Sequence, residues 1–143
     1  MPMRLLPLAC LAIATPAFAQ QPAALPTVPI TEWETPWPKD FIRDPIADDQ
    51  GRVWFCGMNG NFIGLFEPNV GRFRRFELPA GTHPHNVIVD RQGRAWLSGN
   101  RNGTINRIDP SSGVVTPYKL PAGLTDPHTL ALDSRDDIWF TVQ

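Results

Sequence analysis

Cysteine is nearly absent from this chain: its 143 residues carry two, Cys10 and Cys56. Cys10 falls in an N-terminal segment that reads as a cleavable signal, so no intrachain disulfide is available to the mature chain. An excess of positive charge is missing as well, with 13 Lys and Arg against 14 Asp and Glu. Loss of the signal removes Arg4 and leaves 12 basic residues, a balance that argues against nucleic acid, whose phosphates need clustered cations. Arg72, Arg74 and Arg75 come nearest to a patch, and on an outer strand they read as solvated side chains that blunt an exposed edge. No segment beyond the signal approaches the length of a membrane span, and the apolar stretch from Leu5 to Ala14 is itself too short.

What is present at the N-terminus is an export signal. Arg4 supplies the positive region, Leu5 to Ala14 the apolar stretch, and Ala17-Phe18-Ala19 a small-x-small cleavage site before Gln20. The predicted cut after Ala19 places the mature product in the periplasm or outside the cell. Pro7 stands where a lipoprotein signal ending at Cys10 would carry a large aliphatic residue. Residues 20–30 are rich in Pro, Ala and Gln without periodicity and read as a flexible leader.

The strongest pattern is a repeat. Asp48-Asp49-Gln50-Gly51-Arg52-Val53-Trp54-Phe55 returns as Asp90-Arg91-Gln92-Gly93-Arg94-Ala95-Trp96-Leu97, and again as Asp133-Ser134-Arg135-Asp136-Asp137-Ile138-Trp139-Phe140. The tryptophans lie 42 and then 43 residues apart. A period of that size, built from units of several short strands, is what a β-propeller writes into its sequence, because one four-stranded blade cannot bury its own faces. The expected fold is all-β, the N-terminal part of a propeller: about two and a half four-stranded blades near residues 41–79, 83–121 and 126–143. A ring needs at least about four blades, so the reading is of an incomplete propeller over 31–143 that belongs to a longer chain, monomeric at full length.

Turn chemistry places the strands of the middle repeat. Asn86 to Val89 is strand A, apolar on both faces as a sandwiched strand should be. Gly93 closes the first turn, Ala95 to Ser98 is strand B, and Asn102-Gly103 signals a hairpin into strand C, Thr104 to Ile108. Val114 to Leu120 is the outer strand D. Thr31-Glu32-Trp33-Glu34-Thr35-Pro36 resembles Arg75 to Pro79 and predicts an orphan outer strand at the mature N-terminus.

In a propeller strand A is innermost, and the loop leading into it opens on one end of the central channel. That loop reads Thr82-His83-Pro84-His85-Asn86 in the second repeat and Thr125-Asp126-Pro127-His128-Thr129 in the third, while the first has Phe41-Ile42-Arg43-Asp44-Pro45. Arg43, His85 and His128 thus hold equivalent positions. Neutral imidazole can accept a proton near neutral pH, and guanidinium can hold a carboxylate or a developing oxyanion. Candidate catalytic residues are His85 and His128; candidate substrate-binding residues are Arg43, Asp44 and Asn86. The competing reading makes each a turn residue bonded to nearby backbone. No spacing resembles a zinc site, and no metal ligand is assigned. His83 points away from His85 if the segment is extended, the three tryptophans read as packing between blades, and Cys56 reads as buried and inert.

The motifs Pro84-His85-Asn86-Val87-Ile88-Val89-Asp90, Gly93-Arg94-Ala95-Trp96-Leu97, Ile105-Asn106-Arg107-Ile108-Asp109-Pro110 and Tyr118-Lys119-Leu120-Pro121 resemble the blade repeat of the streptogramin B (virginiamycin B) lyase family. The resemblance runs from Ile30 onward. It implies a seven-bladed propeller that linearises a cyclic depsipeptide by elimination across its ester, with histidines from Pro-His motifs, one as general base, and Mg²⁺ held by glutamates. His85 and His128 match the Pro-His positions. The glutamate slots instead hold Gly57, Gly99 and Val142, so Mg²⁺ is implied by the resemblance alone. Arg43 is a further departure and points to a subgroup with a different anionic ligand or reaction. The expected partner is a small molecule or cyclic peptide substrate, with no nucleic acid and no membrane span. Two alternatives stay open: a non-catalytic propeller module that binds a ligand or protein, and a lactonase-type hydrolase with acidic and Asn metal ligands in its channel.

Overall fold

Apolar residues on both faces of short segments, broken every few residues by tight turns, fold Glu32–Gln143 into antiparallel strands, with no helix among the described residues. The computed structural model describes residues 27–143. The predicted signal peptide, 1–19, and most of the leader, 20–30, lie outside the described residues. The first sheet contains β1 (Ile42–Ala47), β2 (Val53–Gly57), β3 (Phe62–Glu67) and β4 (Arg72–Glu77), hydrogen-bonded in that order. The second repeats it with β5 (Pro84–Val89), β6 (Ala95–Gly99), β7 (Thr104–Ile108) and β8 (Val115–Lys119). A two-stranded sheet comes next, β9 (Pro127–Leu132) with β10 (Ile138–Val142). Strands B, C and D of the middle repeat fall within one residue of their sequence-based bounds. Strand A starts two residues earlier, at Pro84.

Each turn between the first two strands of a sheet is organised by one carboxylate. Asp90 Oδ1 accepts the backbone N–H of Gln92 and Arg94, at 3.0 and 2.9 Å, while Oδ2 accepts Arg94 Nε at 2.7 Å and the Trp96 indole N–H at 2.8 Å. Asp48 makes the same four bonds to Gln50, Arg52 and Trp54. Asp133 keeps the two backbone bonds and a longer one, 3.4 Å, to Trp139. The turn needs a left-handed residue at its fourth position, and Gly51, Gly93 and Asp136 supply it, with φ of 71°, 75° and 64°. Aspartate is among the few side chains that tolerate this region. Burial alone would raise the Asp90 pKa; the bonds from Trp96 and Arg94 outweigh it and hold the carboxyl below its ordinary value.

The sheets pack face to face. Between the first two lie Trp54, Cys56, Ile63, Leu65 and Phe76 on one side, with Val87, Ala95, Leu97 and Ile108 on the other. Ile88, Ile105 and Leu130 form the next layer, joined by the half-buried Trp96 and Phe140. The repeated tryptophan grades outward accordingly: Trp54 is fully buried and stacks on Phe76, whereas Trp139 is 65% exposed.

Two expectations are corrected. Residues 31–36 form no strand; a lone strand has no ladder to join here, and the segment contributes aromatic rings instead. Trp33 packs on Phe66, and Trp37 on Phe55, Phe62 and Phe73, covering the far face of the first sheet. Nor are the three arginines of β4 simply solvated. Arg74 donates to the Pro110 carbonyl of the next sheet at 2.9 Å and lies over the Phe76 ring, and Arg75 lies 3.9 Å from the Phe62 ring centroid. Arg72 makes an exposed pair with Glu67, and Arg75 one with Glu77.

Removing the buried carboxylate leaves an indole N–H and two backbone N–H groups without partners. Asp90→Ala should therefore lower stability by about 2–4 kcal/mol, read as a shift in the urea midpoint. Asp133→Ala, at a carboxylate that is 28% exposed, should shift the midpoint far less. Equal shifts would show that the clasp does not matter to the fold.

Candidate functional site

The start of every first strand carries the same irregularity. Pairing is regular from the clasped turn backwards until a bulge interrupts it, between Arg43 and Ile46, between Pro84 and Val87, and opposite Phe140 and Val142 in the third sheet. A bulge bends the strand and re-aims its side chains. Ile42 pairs with Gly57, Pro84 with Gly99 and Pro127 with Val142, so Arg43, His85 and His128 occupy one register position in three successive sheets.

The structure brings these groups together. The imidazoles of His85 and His128 lie with centroids 3.4 Å apart and planes inclined by 40°. His85 is 7% exposed, and its Nδ1 sits 3.8 Å from Asp44 Oδ2 with no hydrogen-bond partner. Asp44 Oδ2 is also 3.5 Å from Arg43 Nε, and Arg43 Nη1 reaches Met58 Sδ at 3.6 Å. The Arg43–Asp44 contact is an ion pair and not a hydrogen bond, for Arg43 Nε is buried and unpartnered. His128 is half-buried, its Nδ1 3.2 Å from Thr129 Oγ1. Burial pushes the His85 pKa down, and Arg43 and His128 push it further, against a smaller opposite pull from Asp44 and Asp126. His85 is therefore neutral near pH 7, the state a proton acceptor requires.

Asn86 holds a different post. Its Oδ1 accepts the Leu130 backbone N–H at 2.9 Å, and its own N–H donates to Ser98 Oγ at 3.1 Å. Ser98 in turn donates to the His128 carbonyl at 2.7 Å. Asn86 and Ser98 thus clamp the third sheet onto the second and fix the backbone that carries His128. Ser98 was not among the expected residues; its only trace in the sequence is a hydroxyl two positions after the repeated tryptophan, shared with Thr141. Asp126 was missed as well; it accepts a hydrogen bond from the Asn100 amide.

His83 does not follow the extended geometry assumed for it. Its φ is 52°, so the chain turns there; its N–H donates to Asn61 Oδ1 at 2.8 Å, and its buried Nδ1 has no partner. Burial, then Arg101, lowers its pKa. Cys56 is fully buried, and burial, with Asp44 beside it, pushes the thiol far above its ordinary value, which leaves it protonated and unreactive. A cleft of about 300 Å³ lies at the other end of the strands, lined by Asp48, Asp49, Asp90, Arg91 and Asp136. Two of its carboxylates are already occupied by the tryptophan clasps.

Among the described residues no group of three or more His, Cys, Asp or Glu side chains is placed to hold a metal ion. With Gly57, Gly99 and Val142 in the glutamate slots, the described residues do not fit a Mg²⁺ centre. No described helix is long and apolar enough to cross a membrane.

Four-stranded antiparallel sheets packed face to face, with their first strands starting at a common rim, define a segment of the β-propeller class. The solved structures it is similar to include virginiamycin B lyase from Staphylococcus aureus, at 30% identity and a TM-score of 0.71 over 78% of this chain. A streptogramin B lyase matches at 26% identity and a TM-score of 0.72, again over 78% of this chain. The chain spans 38% and 37% of those two proteins. A gluconolactonase from Xanthomonas campestris, at 20% identity and a TM-score of 0.60, covers 72% of this chain and 35% of its own, and supports the fold alone. No family model and no curated protein sequence matches the chain significantly. The resemblance to the streptogramin B lyases carried by the blade motifs therefore holds in three dimensions.

Because the folded pKa values of His83 and His85 lie below the ordinary 6.5, the unfolded chain binds protons that the folded one refuses. Stability should be full above pH 6.5 and should fall as pH drops through the window from there to the depressed values. Urea midpoints between about pH 7 and about pH 5 should show this loss, and His85→Gln should flatten it. An unchanged slope in that variant would mean that His85 is not held neutral by the fold.

Proposed function

We propose that this chain is part of an exported propeller enzyme of the carbon–oxygen lyase type, acting by elimination on a cyclic ester or related substrate at the rim where the first strands begin. The observation that carries this is the convergence of His85 and His128, from the two Pro-His motifs, in a fold that resembles the streptogramin B lyases. The export signal read at 1–19 supports placement in the periplasm or outside the cell.

An elimination needs a group that removes a proton from the carbon next to the one bearing the ester oxygen. The proton passes to imidazole, the carbon–oxygen bond breaks, the carboxylate departs with the bonding pair, and a carbon–carbon double bond remains. No water is consumed. His85 is neutral but nearly buried, while His128, whose ring lies tilted against it, is the more open of the two. His128 then meets the substrate and His85 stands behind it, with Arg43 on the same rim to steady negative charge. Any Mg²⁺ dependence of the whole protein would have to come from residues other than those described here.

The test uses the full-length protein and a cyclic depsipeptide, with mass spectrometry of the product. An unsaturated linear product of unchanged mass is expected, and His128→Ala should reduce turnover by about a hundredfold or more while the far-UV spectrum stays unchanged. A product heavier by one water would instead establish hydrolysis and favour the lactonase alternative. Saturable binding without turnover would favour the non-catalytic module.

A further inference from the structure

A second cleft, of about 330 Å³, opens at the end of the sheets away from the histidine rim, where Gln50, Arg52 and Arg74 of the first repeat face Gln92, Pro110 and Ser111 of the second. Arg52 belongs to the tryptophan clasp, as Arg94 does in the next sheet. Arg74 answers no such need of the repeat. Leu65 pairs with Trp54 and Arg74, and Arg107 with Trp96 and Thr116, so the second sheet carries threonine at the same place. One aromatic stack holds both guanidiniums. The rings of Trp54 and Phe76 lie 5.6 Å apart and inclined by 21°, with Arg52 over the first at 5.8 Å and Arg74 over the second at 4.9 Å. Side chains fixed in this way lose little further freedom on binding.

The cleft offers mainly hydrogen-bond donors. Arg52 Nε is engaged by Asp48 and Arg74 Nη2 by the Pro110 carbonyl. The other guanidinium nitrogens of both arginines, the amides of Gln50 and Gln92 and the Ser111 hydroxyl donate to nothing among the described residues. The strong acceptors nearby are taken: Gln92 Oε1 accepts Arg94 Nη2 at 3.1 Å, and the Pro110 carbonyl accepts Arg74. No carboxylate lines the cleft. Asp48 is paired with Arg52 and Glu67 with Arg72, while Asp109 accepts the N–H groups of Ser111 and Ser112 within its own turn. Arg74 therefore leaves a net positive charge facing free donors, a combination that suits an oxyanion. A single guanidinium meets a planar carboxylate in full; donors arriving from two guanidiniums and, across the junction, from Ser111 and Gln92 suit a group whose oxygens point to more than two sides. The volume is several times the ~30 Å³ share of one liquid water, which leaves space for such a group. We propose that this cleft binds a phosphate or sulfate group, free or carried as an ester, between Arg52, Arg74 and Ser111. The site is separate from the histidine rim and does not rest on the lyase reading.

The test is calorimetric titration of the full-length protein with inorganic phosphate and with sulfate at constant ionic strength, acetate serving as the planar control. Saturable binding of phosphate or sulfate is expected, with acetate clearly weaker. Arg74→Thr, which installs the residue that the second sheet already carries, should weaken it about tenfold or more, the effect of losing one charge-assisted contact. Arg135→Ala, which removes an exposed arginine of the third sheet, should leave it unchanged. Ser111→Glu, on an exposed turn, places a carboxylate in the cleft without touching the packed rings; it should abolish binding and keeps the test decisive where Arg74→Thr does not fold. The proposal is overturned by the absence of saturable binding, by acetate binding as tightly, by equal losses in Arg74→Thr and Arg135→Ala, or by binding that survives Ser111→Glu. Titration with glucose 6-phosphate separates the two sources: binding tighter than that of inorganic phosphate assigns the group to an ester, and exclusion assigns it to the free ion.

Discussion

The bond between a turn carboxylate and a tryptophan indole is the constraint on which the rest of this structure depends. Asp48 and Asp90 each tie the backbone of a tight turn to a ring six residues on. That single link sets where the second strand starts, which face the indole covers and how the next sheet can lie against it. With Trp54 fixed on Phe76, the first sheet presents a rigid apolar surface to Val87 and Leu97. The third sheet shows the same device weakened: Asp136 and Asp137 replace the Gly-Arg pair, the indole bond lengthens to 3.4 Å, and Trp139 is largely exposed.

Regularity at the turn end of each first strand leaves the opposite end free to vary. The bulges all fall there, as do the left-handed Asp44 and His83 and the unpartnered nitrogens of Arg43, His83 and His85. Backbone strain and unsatisfied buried groups are tolerated only where the surroundings over-determine them. The clasps and the interleaved cores supply that rigidity, so the rim can hold a polar constellation that would not persist on a looser scaffold.

Neighbouring sheets cooperate at this rim in a way that no single repeat contains. His85 is held neutral first by its burial, and then by Arg43 of the preceding sheet and His128 of the following one. His128 is held in place by Ser98 and Asn86, both one sheet away. Arg74 and Arg91 also reach across junctions, to the carbonyls of Pro110 and Ser134. A propeller segment of this kind is stabilised by nearest-neighbour interfaces, and its chemistry is assembled at the same interfaces.

Period, strand order, turn positions and the equivalence of Arg43, His85 and His128 were all legible in the residues, because each follows from chemistry within a few positions: glycine in the tight turns, runs apolar on both faces, and the polar groups of the loop entering each first strand. The indole clasp was hidden although its residues are the most repetitive in the chain, since the pattern Asp-x-x-Gly-Arg-x-Trp does not say which way the indole turns. The fate of residues 31–36 also lay outside local reasoning, for a strand exists only where a partner offers its edge. Above all, the difference between Asp44 and Asn86 could be decided only in three dimensions. Both sit one residue after the rim group in matching bulges, yet Asn86 finds the Leu130 N–H across its junction, while Asp44 turns to Arg43 and His85. Sequence determines what a position can donate or accept; the packing of one sheet on the next determines which atoms are within reach.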